Sequence, residues 1–141
     1  MEYSTEILHM GFITHDVKQF IVRRPEGFAY DPGQGVEVAV DADGRREDAR
    51  PFTPTSPRDA PTLEFLIKVY PERDAVTEEL HSLKPGAALL LSQAFGTITY
   101  RGPGTFIGAG AGVTPLLAIL RHIEDPKEVE ECTLLFSNKT P

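Results

Sequence analysis

The chain has 141 residues, 40% of them apolar, enough for one compact core and the start of a second. Fourteen basic against twenty-one acidic side chains give a formal charge of -7, and the basic residues are scattered, which excludes nucleic acid as a partner. One cysteine, Cys132, excludes an internal disulfide and a cysteine-rich zinc site, and no apolar segment reaches the roughly 20 residues of a bilayer span.

The N-terminal MEYSTEILHM carries charge and no long apolar run, so no signal peptide is expected, and with the lone cysteine a reducing cytoplasm is the expected compartment. From Glu6 to Val22 the chain reads as extended segments, closed by a turn at Arg23-Arg24-Pro25-Glu26-Gly27. A second turn, Asp31-Pro32-Gly33-Gln34-Gly35, feeds Val36 to Val40, whose alternation predicts a half-buried strand. Asp41 to Asp48 is a polar hairpin loop turning at Asp43-Gly44. Leu63 to Tyr70 is dense in β-branched and aromatic residues and predicts another strand. Val76 to Leu83 reads as one short helix, with Thr77 as its cap and Lys84-Pro85-Gly86 as its stop. Ala87 to Leu91 and Gly96 to Tyr100 are the last expected strands of a small barrel, and Arg101-Gly102-Pro103-Gly104 marks a domain boundary.

Past that boundary a short apolar strand, Thr105-Phe106-Ile107, runs into the glycine loop Gly108-Ala109-Gly110-Ala111-Gly112. Thr114 as cap and Pro115 at the first helical position predict a helix over Leu116 to Ile123, stopped by Asp125-Pro126. Cys132 to Phe136 then supplies a second buried strand, with Cys132 as a core residue. Strand, helix and strand fit the roughly 30 residues of a βαβ unit.

Two stretches carry candidate chemistry. Glycines let a backbone approach a ligand closely, and the helix behind them offers free N–H groups and a positive dipole end, an anion site suited to a pyrophosphate. The spacing here is GxGxG, not GxGxxG, and the same loop also serves tight packing. At the end of the second strand an acid would hold a ribose 2′-hydroxyl and a base would accommodate a 2′-phosphate; Ser137-Asn138-Lys139 offers Lys139 and no acid, which leans toward NADP. In the second stretch, RPFTPTSP, prolines 51, 54 and 57 forbid a central strand and hold side chains out from a rigid extended edge. Alternation puts Arg50 and Phe52 on one face and Thr53 on the other unless the segment is kinked. Arg can fork onto a phosphate, Phe can stack on a planar ring and Thr can hydrogen-bond a ring nitrogen. The alternative is an edge strand with a buried Phe and a surface Arg. His9, His15, His81 and His122 lack metal-ligand spacing. His15-Asp16 has no nucleophile beside it.

Arg50-Pro51-Phe52-Thr53 resembles the R-x-[YF]-[ST] flavin motif of the ferredoxin-NADP reductase family, and Gly108 to Pro115 resembles its G-x-G-x-G-x-T-P nucleotide loop. Pro32-Gly33-Gln34, Leu66-Ile67-Lys68 and Leu134-Leu135-Phe136 are similar to further family segments in the same order. The resemblance implies an antiparallel six-stranded FAD-binding β-barrel with one short helix over 1–101. The first βαβ of an NAD(P)-binding α/β domain would follow over 102–141, incomplete because family members continue with further βα units.

It also implies roles. Arg50 would pair with the FAD pyrophosphate, Pro51 would belong to the same motif, and Phe52 would stack on the isoalloxazine. Thr53 would hydrogen-bond flavin N5 and is the expected catalytic residue. Ile67 and Lys68 would line the flavin or nucleotide path, and Ala75-Val76-Thr77 would bring a helix N-terminus to the pyrophosphate. Gly108, Gly110, Gly112, Thr114 and Pro115 would receive the pyridine nucleotide, with Thr114 under the nicotinamide. Phe52 stands where many relatives have Tyr, and Glu72 to Ala75 lacks the usual glycine. The expected activity is hydride transfer from NADPH, or NADH, to FAD and electron delivery to a carrier such as ferredoxin or flavodoxin. The alternatives are a flavin-binding electron-transfer module without its own NAD(P)H turnover and a barrel that binds no flavin.

Overall fold

The computed structural model describes residues 1–69 and 75–139. Among the described residues eight strands and three α-helices follow in chain order: β1 (Tyr3–Phe12), β2 (Val17–Arg23), β3 (Val36–Val40), β4 (Arg50–Phe52), β5 (Thr62–Lys68), α1 (Ala75–Ser82), β6 (Ala88–Leu91), β7 (Thr105–Ala109), α2 (Thr114–Leu120), α3 (Pro126–Glu130) and β8 (Thr133–Ser137). The first six strands form one antiparallel sheet in the order β4-β3-β6-β1-β2-β5, curled into a nearly closed barrel. β7 and β8 pair in parallel as a separate two-stranded sheet.

The barrel core follows from period-2 alternation. In β5 the residues Leu63, Phe65 and Ile67 are buried while Thr62, Glu64, Leu66 and Lys68 face outward. Phe65 sits opposite Phe20 of β2, and both are 1% exposed. Truncating either ring would cost about 3–5 kcal/mol, so this cross-strand pair is a principal anchor. Val36, Val38, Leu89 and Leu91 close the other side of the same core. β4 lies at the end of the sheet order, as the proline spacing predicts, and is three residues long.

Several expectations are corrected. Gly96 to Tyr100 is not a strand: Gly35 and Phe95 exchange one pair of backbone hydrogen bonds, after which Gly96 takes φ +107 and turns the chain out of the ladder. Thr77 lies inside α1, which begins at Ala75, so it is no cap. Thr114 is likewise inside its helix, because a 3₁₀ turn over Gly110–Val113 runs straight into α2, and its hydroxyl donates to the Ala111 carbonyl at 3.0 Å. α2 ends at Leu120, short of Ile123. Asp125-Pro126 starts a helix as well as following one: the Asp125 carboxylate accepts from the Lys127 N–H at 2.9 Å and Pro126 occupies the first turn of α3. β8 begins after Cys132 and all five of its residues are exposed, so it is not the buried strand its sequence predicts. Cys132 itself is half-buried and its thiol reaches the Glu128 carbonyl at 3.1 Å. Tyr70 and the Glu72–Asp74 segment lie outside the described residues, as do the side chains of Ala75, Val76 and Thr77.

Candidate functional site

The outward face of β5 is the seat of the site. Glu64, Leu66 and Lys68 share that face by alternation, and the Gly110–Val113 turn, α2 and the end of β8 are held against it. The ammonium of Lys68 sits 2.8 Å from the Asp16 carboxylate and donates to the Asn138 side chain at 3.1 Å. That hydrogen bond from Lys68 holds the Asp16 carboxyl below its ordinary range. Four residues up the strand, Glu64 accepts from Thr55 Oγ1 at 2.5 Å, Gln19 Nε2 at 2.6 Å and Arg121 Nη1 at 2.6 Å. Burial alone would raise the Glu64 pKa, but these hydrogen bonds outweigh it and hold the group low.

β4 delivers the other wall. Pro54 denies the chain a further ladder donor, the strand stops at Phe52, and Thr53 turns with it toward the same space. Thr55 N–H then donates to the Glu64 carbonyl at 2.8 Å, and the Tyr30 hydroxyl to the Ser56 carbonyl at 2.7 Å, so the segment is pinned immediately downstream. A cleft of about 380 Å³ results, lined on the barrel side by Pro51, Phe52, Thr53, Leu66, Ile67 and Lys68 and on the other by Ala111, Thr114 and Pro115. Gly33, Gly35, Phe95, Gly96 and Ile98 form its floor and end.

Seven of the expected site residues therefore meet in one cleft: Pro51, Phe52, Thr53, Ile67, Lys68, Thr114 and Pro115. Arg50 is exposed at the start of β4, outside that lining, with Nη1 donating to the Ala49 carbonyl at 2.9 Å. Gly108 serves packing: a Cβ there would lie 3.1 Å from the Leu116 side chain and 3.2 Å from the Val113 Cα. Gly110 takes φ +50 to enter the 3₁₀ turn, and a Cβ at Gly110 or Gly112 would meet nothing within 4 Å, so both leave open space beside the loop. Lys139 is exposed, and its N–H donates to Asn138 Oδ1 at 3.1 Å. Two groups of site residues escape sequence reasoning. Gly96 and Ile98 were hidden in a stretch, Gly96 to Tyr100, that reads as a strand, and Phe95, Asp16, Asn138 and Arg121 are brought in only by tertiary contacts. Among the described residues there is no cluster of His, Cys, Asp or Glu that could hold a metal ion, and no helix is long and apolar enough to cross a membrane.

Residues 5–100 match a family model described as the oxidoreductase FAD-binding domain. Over 172 aligned positions covering 99% of the chain, 29% are identical to NADH-cytochrome b5 reductase 1 of Bos taurus, of which 56% is covered. The reductase component of propane 2-monooxygenase from Gordonia sp. is 35% identical over 131 positions, 88% of this chain and 37% of that protein. A ferredoxin NADP+ reductase from Neisseria gonorrhoeae, solved with bound FAD and NADP, superposes with a TM-score of 0.77 at 21% identity, over 96% of this chain and 56% of that one. The chain thus spans about half or less of the length of the curated relatives it matches.

Proposed function

The chain belongs to the oxidoreductase FAD-binding domain family, and from that premise we propose that it binds FAD in the cleft beside Phe52 and takes part in moving electrons from a pyridine nucleotide to a one-electron carrier. The observation that supports this reading is the single cleft lined by both Phe52–Thr53 and Thr114–Pro115. Its walls fit a planar ring: they are mostly apolar, with Thr53, Thr114 and Lys68 as the polar side chains, half-buried Phe52 supplies an aromatic face, and the volume falls in the range of small-molecule sites.

FAD, when bound, supplies the hydride-accepting ring and the step from two-electron to one-electron transfer. The chain supplies position and electrostatics. Phe52 would stack on the ring, Thr53 would offer its hydroxyl to the hydride-accepting nitrogen, and Arg50 on the adjoining strand end would meet the pyrophosphate. The N-terminal end of α1 at Ala75 to Thr77 offers further free N–H groups to phosphate. Among the described lining residues the positive charge is that of Lys68, shared with Asp16. Thr114 and Pro115 receive the nicotinamide end, with Gly110 and Gly112 leaving room for backbone approach to phosphate. Lys139, the basic residue after β8, would meet a 2′-phosphate, which is the basis for proposing NADPH as donor. A ferredoxin or flavodoxin is the proposed acceptor.

The test is the visible spectrum of the protein with added FAD, before and after anaerobic NADPH and, separately, NADH. Flavin bands that bind and then bleach support the reading, and the faster nucleotide names the donor. Bound flavin that both nucleotides leave oxidised would mean a flavin module without its own nucleotide turnover. No bound flavin would remove the proposal. Arg50→Ala and Phe52→Ala should each weaken FAD binding by about tenfold or more.

A further inference from the structure

We propose that Arg121 is a positioning residue which, through Glu64 and Thr55, fixes the Phe52–Thr53 segment relative to Thr114–Pro115 across the cleft. The inference rests on the flavin reading above and concerns how the two walls are held together.

Arg121 caps the C-terminus of α2, the helix whose first residues, Thr114 and Pro115, line the cleft. Its Nη1 donates to the Glu64 carboxylate at 2.6 Å and to the Thr55 carbonyl at 2.9 Å. Thr55 stands two residues beyond Thr53, and it is itself tied to Glu64 through both its hydroxyl and its N–H. The contacts therefore bridge the two walls of the cleft: Thr53 to Thr55 by covalent chain, Thr55 to Arg121 by hydrogen bond, and Arg121 back to Thr114 along a rigid helix of about 10 Å. A second contact braces the same corner. The Arg58 N–H donates to His122 Nε2 at 2.6 Å, while His122 Nδ1 lies 2.6 Å from the Ala118 carbonyl, so the proton sits on Nδ1.

The charge is placed where it can act. The Glu64 side chain is 15% exposed and Thr55 is fully buried, while the Arg121 side chain is 41% exposed, so the acceptors are fixed by packing and hold one face of a partly solvated guanidinium. Along β5 this clamp and the Asp16–Lys68–Asn138 clamp stand about 13 Å apart on one face, which holds the α2–β8 unit at two points and resists both tilt and slide. Arg121 lies outside the cleft lining. Its loss alters the spacing of the walls without removing a group that touches a ligand.

The experiment uses Arg121→Met and Arg121→Lys in the full chain, with three readouts. Amide exchange without FAD should rise by about tenfold at Thr55 and Arg58 in Arg121→Met and stay unchanged at Phe20 and Phe65 in the barrel core. FAD affinity should stay within about twofold of wild type, because Arg50 and Phe52 remain. The rate of flavin reduction at saturating nucleotide should fall by about tenfold or more, since small misplacement of reacting groups is costly. Arg121→Lys keeps the charge and should recover part of the rate. If Arg121→Met does not fold, Glu64→Gln combined with Arg121→Met leaves no unpaired charge and carries the same test. Wild-type exchange and a wild-type saturating rate in the variant would overturn the inference. So would loss of FAD affinity in step with lost core protection, which marks a merely structural role. A wild-type protein whose flavin neither nucleotide reduces removes the function proposed above, and the exchange and affinity readouts then decide the clamp alone.

Discussion

Both ring nitrogens of His81 are buried without a hydrogen-bond partner among the described residues. The ring stacks on Phe12 at 6.4 Å and tilts against Phe20 at 5.7 Å, while Lys18 Nζ donates to the His81 carbonyl at 2.7 Å. Burial pushes the imidazole pKa down; the Lys68 backbone pulls it the other way and the Lys18 charge adds to the depression. A histidine depressed in the folded state takes up its proton more readily when unfolded, so its stability contribution is complete above the ordinary value near 6.5 and declines as pH falls through it. Asp16 and Glu64 act in a lower window: both are depressed, so their contributions hold above about 4.5 and fade only in stronger acid. Thermal melts at pH 8 and pH 5.5 should therefore show wild type less stable in acid, and His81→Phe should narrow that gap. An unchanged gap in the variant would show that His81 is not its source. The sequence placed His81 on a helix and read it as an ordinary histidine; its stacking partners lie on other strands, 61 or more positions away, and no local pattern could name them.

At the scale of elements, the Asp31–Gly35 turn decides the shape of the cleft end. Gln34 N–H closes the turn on the Asp31 carbonyl at 3.0 Å, and Gly33 takes φ +101. A Cβ at Gly33 would lie 2.4 Å from the Ile98 carbonyl oxygen and 3.0 Å from the Ile119 side chain. Gly33→Ala should therefore destabilise by about 3 kcal/mol in urea titration and weaken FAD binding, whereas Gly44→Ala, with φ +76 but nothing within 4 Å, should cost only about 1 kcal/mol. Equal losses would refute the steric account. The turn itself was legible, because proline and glycine act locally; the close approach of Ile98 was not, because it depends on a segment that reads as a strand and is turned aside by Gly96. Helix starts show the same division. Cap chemistry predicted at Thr114 operates at Asp125, since the 3₁₀ turn feeds α2 directly and leaves no free N-cap for Thr114 to fill.

For the whole molecule, the barrel is closed upon its core while the β7–β8 sheet is not. Ile107 is 75% exposed, Leu135 52% and Phe136 51%, where parallel sheets are ordinarily covered on both faces. Such a patch favours self-association. Ile107→Lys should lower sedimentation-detected association and binding of a hydrophobic dye, and leave barrel stability within about 0.5 kcal/mol. An unchanged association state would place the contact elsewhere.

The sequence by itself determined extended segments from Glu6 to Val22, the barrel strands at Val36 to Val40, Leu63 to Lys68 and Ala88 to Leu91, a short edge segment at Arg50-Pro51-Phe52, the glycine turn before α2 and the residue types of the cleft. Each of these rests on alternation, on proline and glycine dihedrals or on motif chemistry, all properties of a few adjacent residues. Tertiary structure alone decided which of them meet. It brought Thr53 onto the same cleft as Phe52, left Arg50 outside that lining, turned Gly96–Tyr100 out of the sheet and made Glu64 and Lys68 anchors for residues 57 and 70 positions away. Long-range pairing depends on how whole faces pack, and one face of β5 sets the geometry of the site.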